Sequence, residues 1–156
     1  MNTLSVRDNG ARAMLARITA AQQPARVRVG VLDDAVKEDD GGGAPMSLLE
    51  VAAVHEFGAG HVPQRSFIRA TVDLHTEEIQ RLQQGLGLQI IRGEIDHTTA
   101  LERLGIKVVA WVQNRIAAGI DPPNADSTIA RKGSSKPLIN TGQLRSSITH
   151  RVYREG

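Results

Sequence analysis

The sequence predicts an α+β fold, with a small antiparallel sheet that takes strands from near both termini and packs against long helices. Three observations carry this expectation. Arg26-Val27-Arg28-Val29-Gly30-Val31-Leu32 alternates charged and apolar residues, the period-two pattern of a strand with one face inward. Ile148 to Tyr153 alternates in the same way near the other end. Between them, apolar residues recur at spacings of three and four, the period of an amphipathic helix. Strands near each end with helices between them fit a sheet in which those strands pair.

Taken in order, residues 9 to 23 carry Met14, Leu15 and Ile18 in an Ala- and Arg-rich setting and read as a helix stopped by Pro24. The strand of residues 26 to 32 follows. Residues 33 to 45 form an acidic loop around Gly41-Gly42-Gly43, where three residues without a Cβ leave the backbone loosely restrained. Ser47 is placed to N-cap a short helix carrying Leu48, Leu49, Ala52 and Val54. Gly58-Ala59-Gly60 ends that helix and Pro63 begins an extended link. Residues 66 to 91 read as one longer helix with Val72, Ile79, Leu82, Leu86 and Ile90 along its stripe. Gly85 and Gly87 weaken its end by up to about 1 kcal/mol each, and Gly93 breaks it. A further helix runs from Asp96 to Ala118, with Leu101, Leu104, Val108, Trp111, Val112 and Ile116 on one face. Asp121-Pro122-Pro123-Asn124 is a rigid turn, and residues 127 to 132 form one helical turn. Thr141 caps a short helix through Arg145, which leads into the last strand.

The chain of 156 residues fits a single domain. Its apolar content of 40% is globular, and its 23% of charged residues mixes both signs, which excludes wholesale disorder. Phe57, Phe67, Trp111 and Tyr153 are all of its aromatics. An aliphatic core buries less area per residue, so partner subunits would add to stability. A net charge of +2 does not by itself call for nucleic acid. Its distribution is uneven: Arg7, Arg12, Arg17, Arg26 and Arg28 lie early, and Arg131, Lys132, Lys136, Arg145, Arg151 and Arg154 lie late. Between them sit Asp33, Asp34, Glu38, Asp39 and Asp40. Opposite-sign patches permit copies to dock onto each other or onto a neighbour. The absence of cysteine excludes disulfide and thiolate chemistry. Met1 is followed by a polar stretch without an apolar core, and no apolar run approaches a membrane span, so a cytosol-like compartment is expected.

Few residues offer chemistry. His55-Glu56-Phe57-Gly58-Ala59-Gly60-His61 superficially resembles a metal site. Two histidines on one helix face must lie four apart, whereas these lie six apart around two glycines, and they read as flanks of a turn. His75, His97 and His150 are isolated. No Gly-x-Ser-x-Gly elbow and no phosphate-binding loop is present, and Gly41-Gly42-Gly43 sits among acids, the wrong sign for phosphate. Arg131, Lys132, Lys136 and Arg145 stand among Ser and Thr in a region that offers phosphate contacts. No cofactor, catalytic residue or metal ligand is expected.

Two segments resemble a known family. The first is Val51-Ala52-Ala53-Val54-His55-Glu56-Phe57-Gly58, followed by Val62-Pro63-Gln64-Arg65-Ser66-Phe67-Ile68-Arg69. The second is Lys136-Pro137-Leu138-Ile139-Asn140-Thr141-Gly142-Gln143-Leu144-Arg145-Ser146-Ser147-Ile148. Both resemble signatures of bacteriophage neck, tail-completion and head–tail joining proteins. There an A-x-x-H-E-F-G stretch precedes I-P-x-R-P/S-F-L/I-R, and L-I-D/N-T-G-x-L-R-x-S-I precedes the last strand. Asn140 stands where Asp is common and Ser66 where Pro is common. Order and spacing correspond over residues 26 to 154.

The resemblance implies a virion protein, assembled in the host cytoplasm as a homo-oligomeric ring around the DNA channel at the neck or tail end. Six-fold symmetry is favoured over the twelve-fold symmetry of portal-proximal parts. The neighbours it implies are head-completion, tail-terminator or tail-tube subunits, with non-specific contact to DNA in the channel and no membrane. On physical grounds the motif residues read as architecture and interface. Gly58 and Gly60 allow a sharp reversal, Pro63 sets the chain's exit, and Phe57 and Phe67 anchor the turn to the core. Arg65 and Arg69, four apart, would share a helix face and reach carboxylates. Thr141-Gly142 starts a helix that leads directly into a strand, with Ile139, Leu144 and Ile148 as apolar anchors, and Leu144 and Arg145 belong to the motif. Two other readings stand beside this one: a DNA-binding or packaging accessory protein, and a metal-dependent hydrolase built on His55, Glu56 and His61.

Overall fold

In a computed structural model of the chain, residues 10–22, 24–32, 37–38, 46–123 and 142–154 are described. The architecture is α+β. In chain order the elements are α1 (Ala11–Ala21), β1 (Ala25–Val31), β2 (Lys37–Glu38), β3 (Met46–Ser47), α2 (Leu48–Phe57), α3 (Arg69–Leu74), α4 (Thr76–Arg92), α5 (His97–Ala118), α6 (Gln143–Ser147) and β4 (Ile148–Arg154). Strand β1 pairs antiparallel with β4, in a register that sets Ala25 opposite Arg154 and Val31 opposite Ile148. The terminal-strand pairing expected from the alternation is present. A second, two-residue ladder joins β2 to β3. Lys37 and Glu38, expected in a loop, therefore belong to this ladder, because their backbone groups find partners in Met46 and Ser47. The rest of the acidic Gly-rich segment lies outside the described residues, as do residues 127 to 132 and Thr141.

A two-stranded sheet is only marginally stable alone, and here α5 covers its inner face. That face carries Val27, Val29, Val31, Ile148, His150 and Val152, whereas Arg26, Arg28, Thr149 and Arg151 are exposed. Gly105 makes the close approach possible. A Cβ at that position would meet His150 Cγ at 2.7 Å and Val27 Cγ2 at 2.9 Å. Around α5 the core gathers Leu104, Val108, Val112 and Ile116 with Val31, Leu48, Ala52, Phe67, Leu86, Leu144 and Ile148. Helices α1 and α4 form an outer layer, in which Arg17 leans over Gly93, the left-handed residue that closes α4.

Several helix ends follow the sequence chemistry. The Ser47 side chain accepts from the Glu50 N–H while the Glu50 carboxylate accepts from the Ser47 N–H, a complete capping box. Asp96 caps α5 by accepting from Thr99 N–H at 2.6 Å. That bond, donated by the Thr99 N–H to an otherwise exposed carboxylate, holds Asp96 below its usual range.

The expected helix of residues 66 to 91 is two helices. Residues 66 to 68 precede α3, and the chain breaks again at His75. Neither proline nor glycine marks this break. The Thr76 hydroxyl lies 3.0 Å from the carbonyl oxygens of both Val72 and Asp73, offering those groups a partner outside the helical ladder. The His75 ring stacks on Trp111 with centroids 4.3 Å apart and planes 4° from parallel, pinning the joint to α5. One consequence is that Val72, expected on the buried stripe, is exposed. Gly85 and Gly87 do not end α4, which continues to Arg92.

Candidate functional site

The two motif segments meet in space. Helix α2, from the first, packs against α6, from the second. Within the first segment two charged residues, Glu56 and Arg65, are buried.

Glu56 lies on the inner face of α2, one turn beyond Ala52 and two beyond Leu48, and all three are buried. After Phe57 the chain reverses through Gly58, whose φ of 76° belongs to the left-handed region. Ala59 and Val62 then form an isolated antiparallel bridge. Arg65 N–H donates to the His55 carbonyl at 2.7 Å, and the Gln64 amide donates to the Glu56 carbonyl at 3.1 Å. This return brings the start of α3 over the Glu56 carboxylate. Oε2 accepts from the N–H groups of Phe67 and Ile68, both at 2.9 Å. Oε1 accepts from Arg69 N–H at 3.0 Å and from the Ser66 hydroxyl at 2.7 Å.

Four donors meet a group with about four lone-pair positions. Glu56, only 6% exposed, is thereby the anionic cap of a helix it does not belong to. Burial pushes its pKa up. The bonds from Ile68, Ser66, Arg69 and Phe67 outweigh that and hold it below the ordinary carboxylate value.

Arg65 points the other way. Its Nε donates to the Pro122 carbonyl at 2.7 Å and an Nη donates to the Pro123 carbonyl at 3.1 Å. Burial holds its pKa below the ordinary value. The fork ties the turn to the chain leaving α5, where prolines supply acceptors without competing N–H donors. Arg115 of α5 adds a bond to the Ser66 carbonyl at 3.3 Å.

Three expectations need correction. Phe57 does not anchor the turn: it is 67% exposed, and Arg69 lies over its ring at 6.0 Å. Phe67, fully buried, does anchor it. Arg65 and Arg69 do not share a helix face, because Arg65 precedes α3 and is bound to carbonyl oxygens. At the second motif Gly142, left-handed with a φ of 76°, is the N-cap residue of α6 and makes no side-chain cap. That helix runs past Arg145 to Ser147. Leu144 and Ile148 are buried as expected, while Arg145 is exposed.

The hydrolase reading of His55, Glu56 and His61 loses its base, because both Glu56 oxygens are engaged. Among the described residues no group of three or more His, Asp or Glu is placed to hold a metal. Two pairs escaped the sequence reading. His150 Nε2 lies 2.6 Å from the Glu102 carboxylate, and His75 stacks on Trp111. Each joins residues far apart in the chain, so no local spacing announces it.

Comparison with known proteins returned no match, whether among protein-family models, curated proteins or solved structures.

Proposed function

We propose that this chain is a structural protein of a tailed-bacteriophage virion, acting in tail completion or head–tail joining as a subunit of a ring around the DNA channel. The observation that carries this reading is the likeness of two ordered segments, Val51–Gly58 with Val62–Arg69 and Lys136–Ile148, to that family's signatures. Their placement supports an architectural role. Both oxygens of Glu56 accept bonds from the start of α3, and Arg65 grips the chain leaving α5, so the buried charges of the first motif are engaged within the fold.

The surface supports assembly. On α2 the inner positions Leu48, Ala52 and Glu56 are buried, while Leu49, Ala53 and Phe57, each one position later, form an exposed apolar stripe. A helix apolar on both faces belongs in an interior, and a contiguous exposed apolar face marks a docking surface. In a closed ring one patch of each subunit meets a different patch of the next. Among the described residues no helix is long and apolar enough to cross a membrane.

The test is deletion of the gene from the replicon that carries it, followed by electron microscopy of the induced lysate. Full heads and free tails are the expected result, restored to joined particles by complementation. Normal joined virions from the deletion strain would remove the proposal.

A further inference from the structure

The joint between α3 and α4 holds a histidine whose hydrogen bonding is incomplete. His75 sits between Leu74 and Thr76, where the chain passes from one helix to the next. Its ring lies flat on Trp111, with centroids 4.3 Å apart. Nδ1 is buried and has no hydrogen-bond partner, and a buried polar atom left unpaired calls for an explanation. Glu78 Oε2, three residues along in α4, lies 3.9 Å from that nitrogen. This separation is beyond hydrogen-bond distance and within the range of an ion pair. In a neutral imidazole Nδ1 carries either a lone pair or an N–H, and neither is satisfied here. In an imidazolium it is a charged donor, for which the Glu78 carboxylate is the matching acceptor.

We propose that His75 is a proton-operated latch of the α3–α4 joint. On taking up a proton, the imidazole draws the Glu78 carboxylate onto Nδ1 and holds the first turn of α4 to Trp111. The added charge also lies against the indole face, which attracts a cation. The neighbouring charges are distributed over all three helices that meet here. On α3, Asp73 is exposed and adds negative charge two residues before the ring. On α4, Glu77 is paired with Arg81 at 3.7 Å. On α5, Lys107 lies 5.3 Å from the Trp111 centroid and opposes the proton, whereas Arg115, a turn beyond Trp111, is bonded to the Ser66 carbonyl. Because Glu56 already fixes the start of α3, the proton decides how firmly α4 follows it. The latch stands apart from the virion reading, since His75 belongs to neither motif segment.

The test reads Trp111, the single tryptophan of the chain, in the full protein from about pH 8 to about pH 5, the interval in which an imidazole changes charge. An imidazolium in contact with an indole quenches its emission, so the wild type should lose intensity as the pH falls. The Ile79 N–H donates to the His75 carbonyl at 2.8 Å, across the joint. Its protection, corrected for intrinsic exchange, should rise about twofold to fivefold over the same range. The variant H75F keeps an aromatic ring against Trp111 and should lose both responses. The variant E78Q, a change at an exposed side chain, should keep the loss of emission and lose the gain in protection. An H75F protein that still loses emission would overturn the proposal, as would an E78Q protein whose protection still rises. So would a wild type in which protection does not change. Circular dichroism of each variant at both ends of the range confirms that the fold is retained.

Discussion

Replacing Glu56 by Gln keeps the shape of the side chain and removes its charge. One of its oxygens becomes an NH2 group that faces two donors. If Oε1 is kept, the N–H groups of Phe67 and Ile68 lose their acceptor; if Oε2 is kept, Arg69 N–H and the Ser66 hydroxyl lose theirs. Net, a hydrogen bond to a charged group contributes about 1.5–3 kcal/mol, and a buried donor left unsatisfied costs about as much. Two such losses, softened by local adjustment, give a destabilisation of about 3 kcal/mol. For a chain of this size that lowers Tm by about 6–12 °C.

The pH dependence carries an independent signature. Glu56 has its folded pKa held below the ordinary value of 4.5. Its contribution is therefore fully present above that value and is lost as pH falls through the lower folded pKa. Urea unfolding of the wild type between pH 7 and pH 3 should lose stability at the acid end, and E56Q should follow a flatter curve there. A variant within about 1 kcal/mol of wild type at pH 7 would refute the capping role, as would an unchanged acid limb.

Other outcomes follow from the same packing. Gly105→Ala should destabilise by about 1–3 kcal/mol through overpacking against His150 and Val27, although alanine is the better helix former. Gly85→Ala and Gly87→Ala, where an added Cβ meets nothing within 4 Å, should each stabilise by up to about 1 kcal/mol in the same thermal assay. Arg65→Lys retains charge but not the two-pronged grip on Pro122 and Pro123, so it should cost about 1–3 kcal/mol and speed amide exchange at Ile120 and Asp121. Phe57→Ser should leave Tm nearly unchanged, because the ring is exposed, yet it should weaken self-association or docking measured by sedimentation if α2 is an interface.

Much of the fold was legible because the residues responsible act locally. Period-two alternation located β1 and β4, and Ser47 and Asp96 announced their helices through chemistry contained within one turn. The break at His75 was not legible, since a ring stack on Trp111 and a threonine hydroxyl produce it without any glycine or proline. At the candidate site, the likeness pointed to Glu56 and Arg65 but not to what they do. Glu56 caps a helix that starts more than ten residues later, and Arg65 reaches carbonyls nearly sixty residues away. Phe57 and Phe67 are indistinguishable by type; only the reversal at Gly58 sends one inward and the other to solvent.

The pairing of β1 with β4 has a consequence for how the protein comes into being. As the chain is synthesised, Ala25–Val31 leaves the ribosome more than a hundred residues before its partner Ile148–Arg154. Helices α2 to α5 can form in the interval, since the backbone hydrogen bonds of a helix are local, but the sheet cannot close. Until it does, Val27, Val29 and Val31 lie along an unpaired edge, the kind of surface that recruits foreign strands. The alternating arginines that mark the outer face are then also gatekeepers, keeping nascent copies apart by charge until each has its own β4 to pair with.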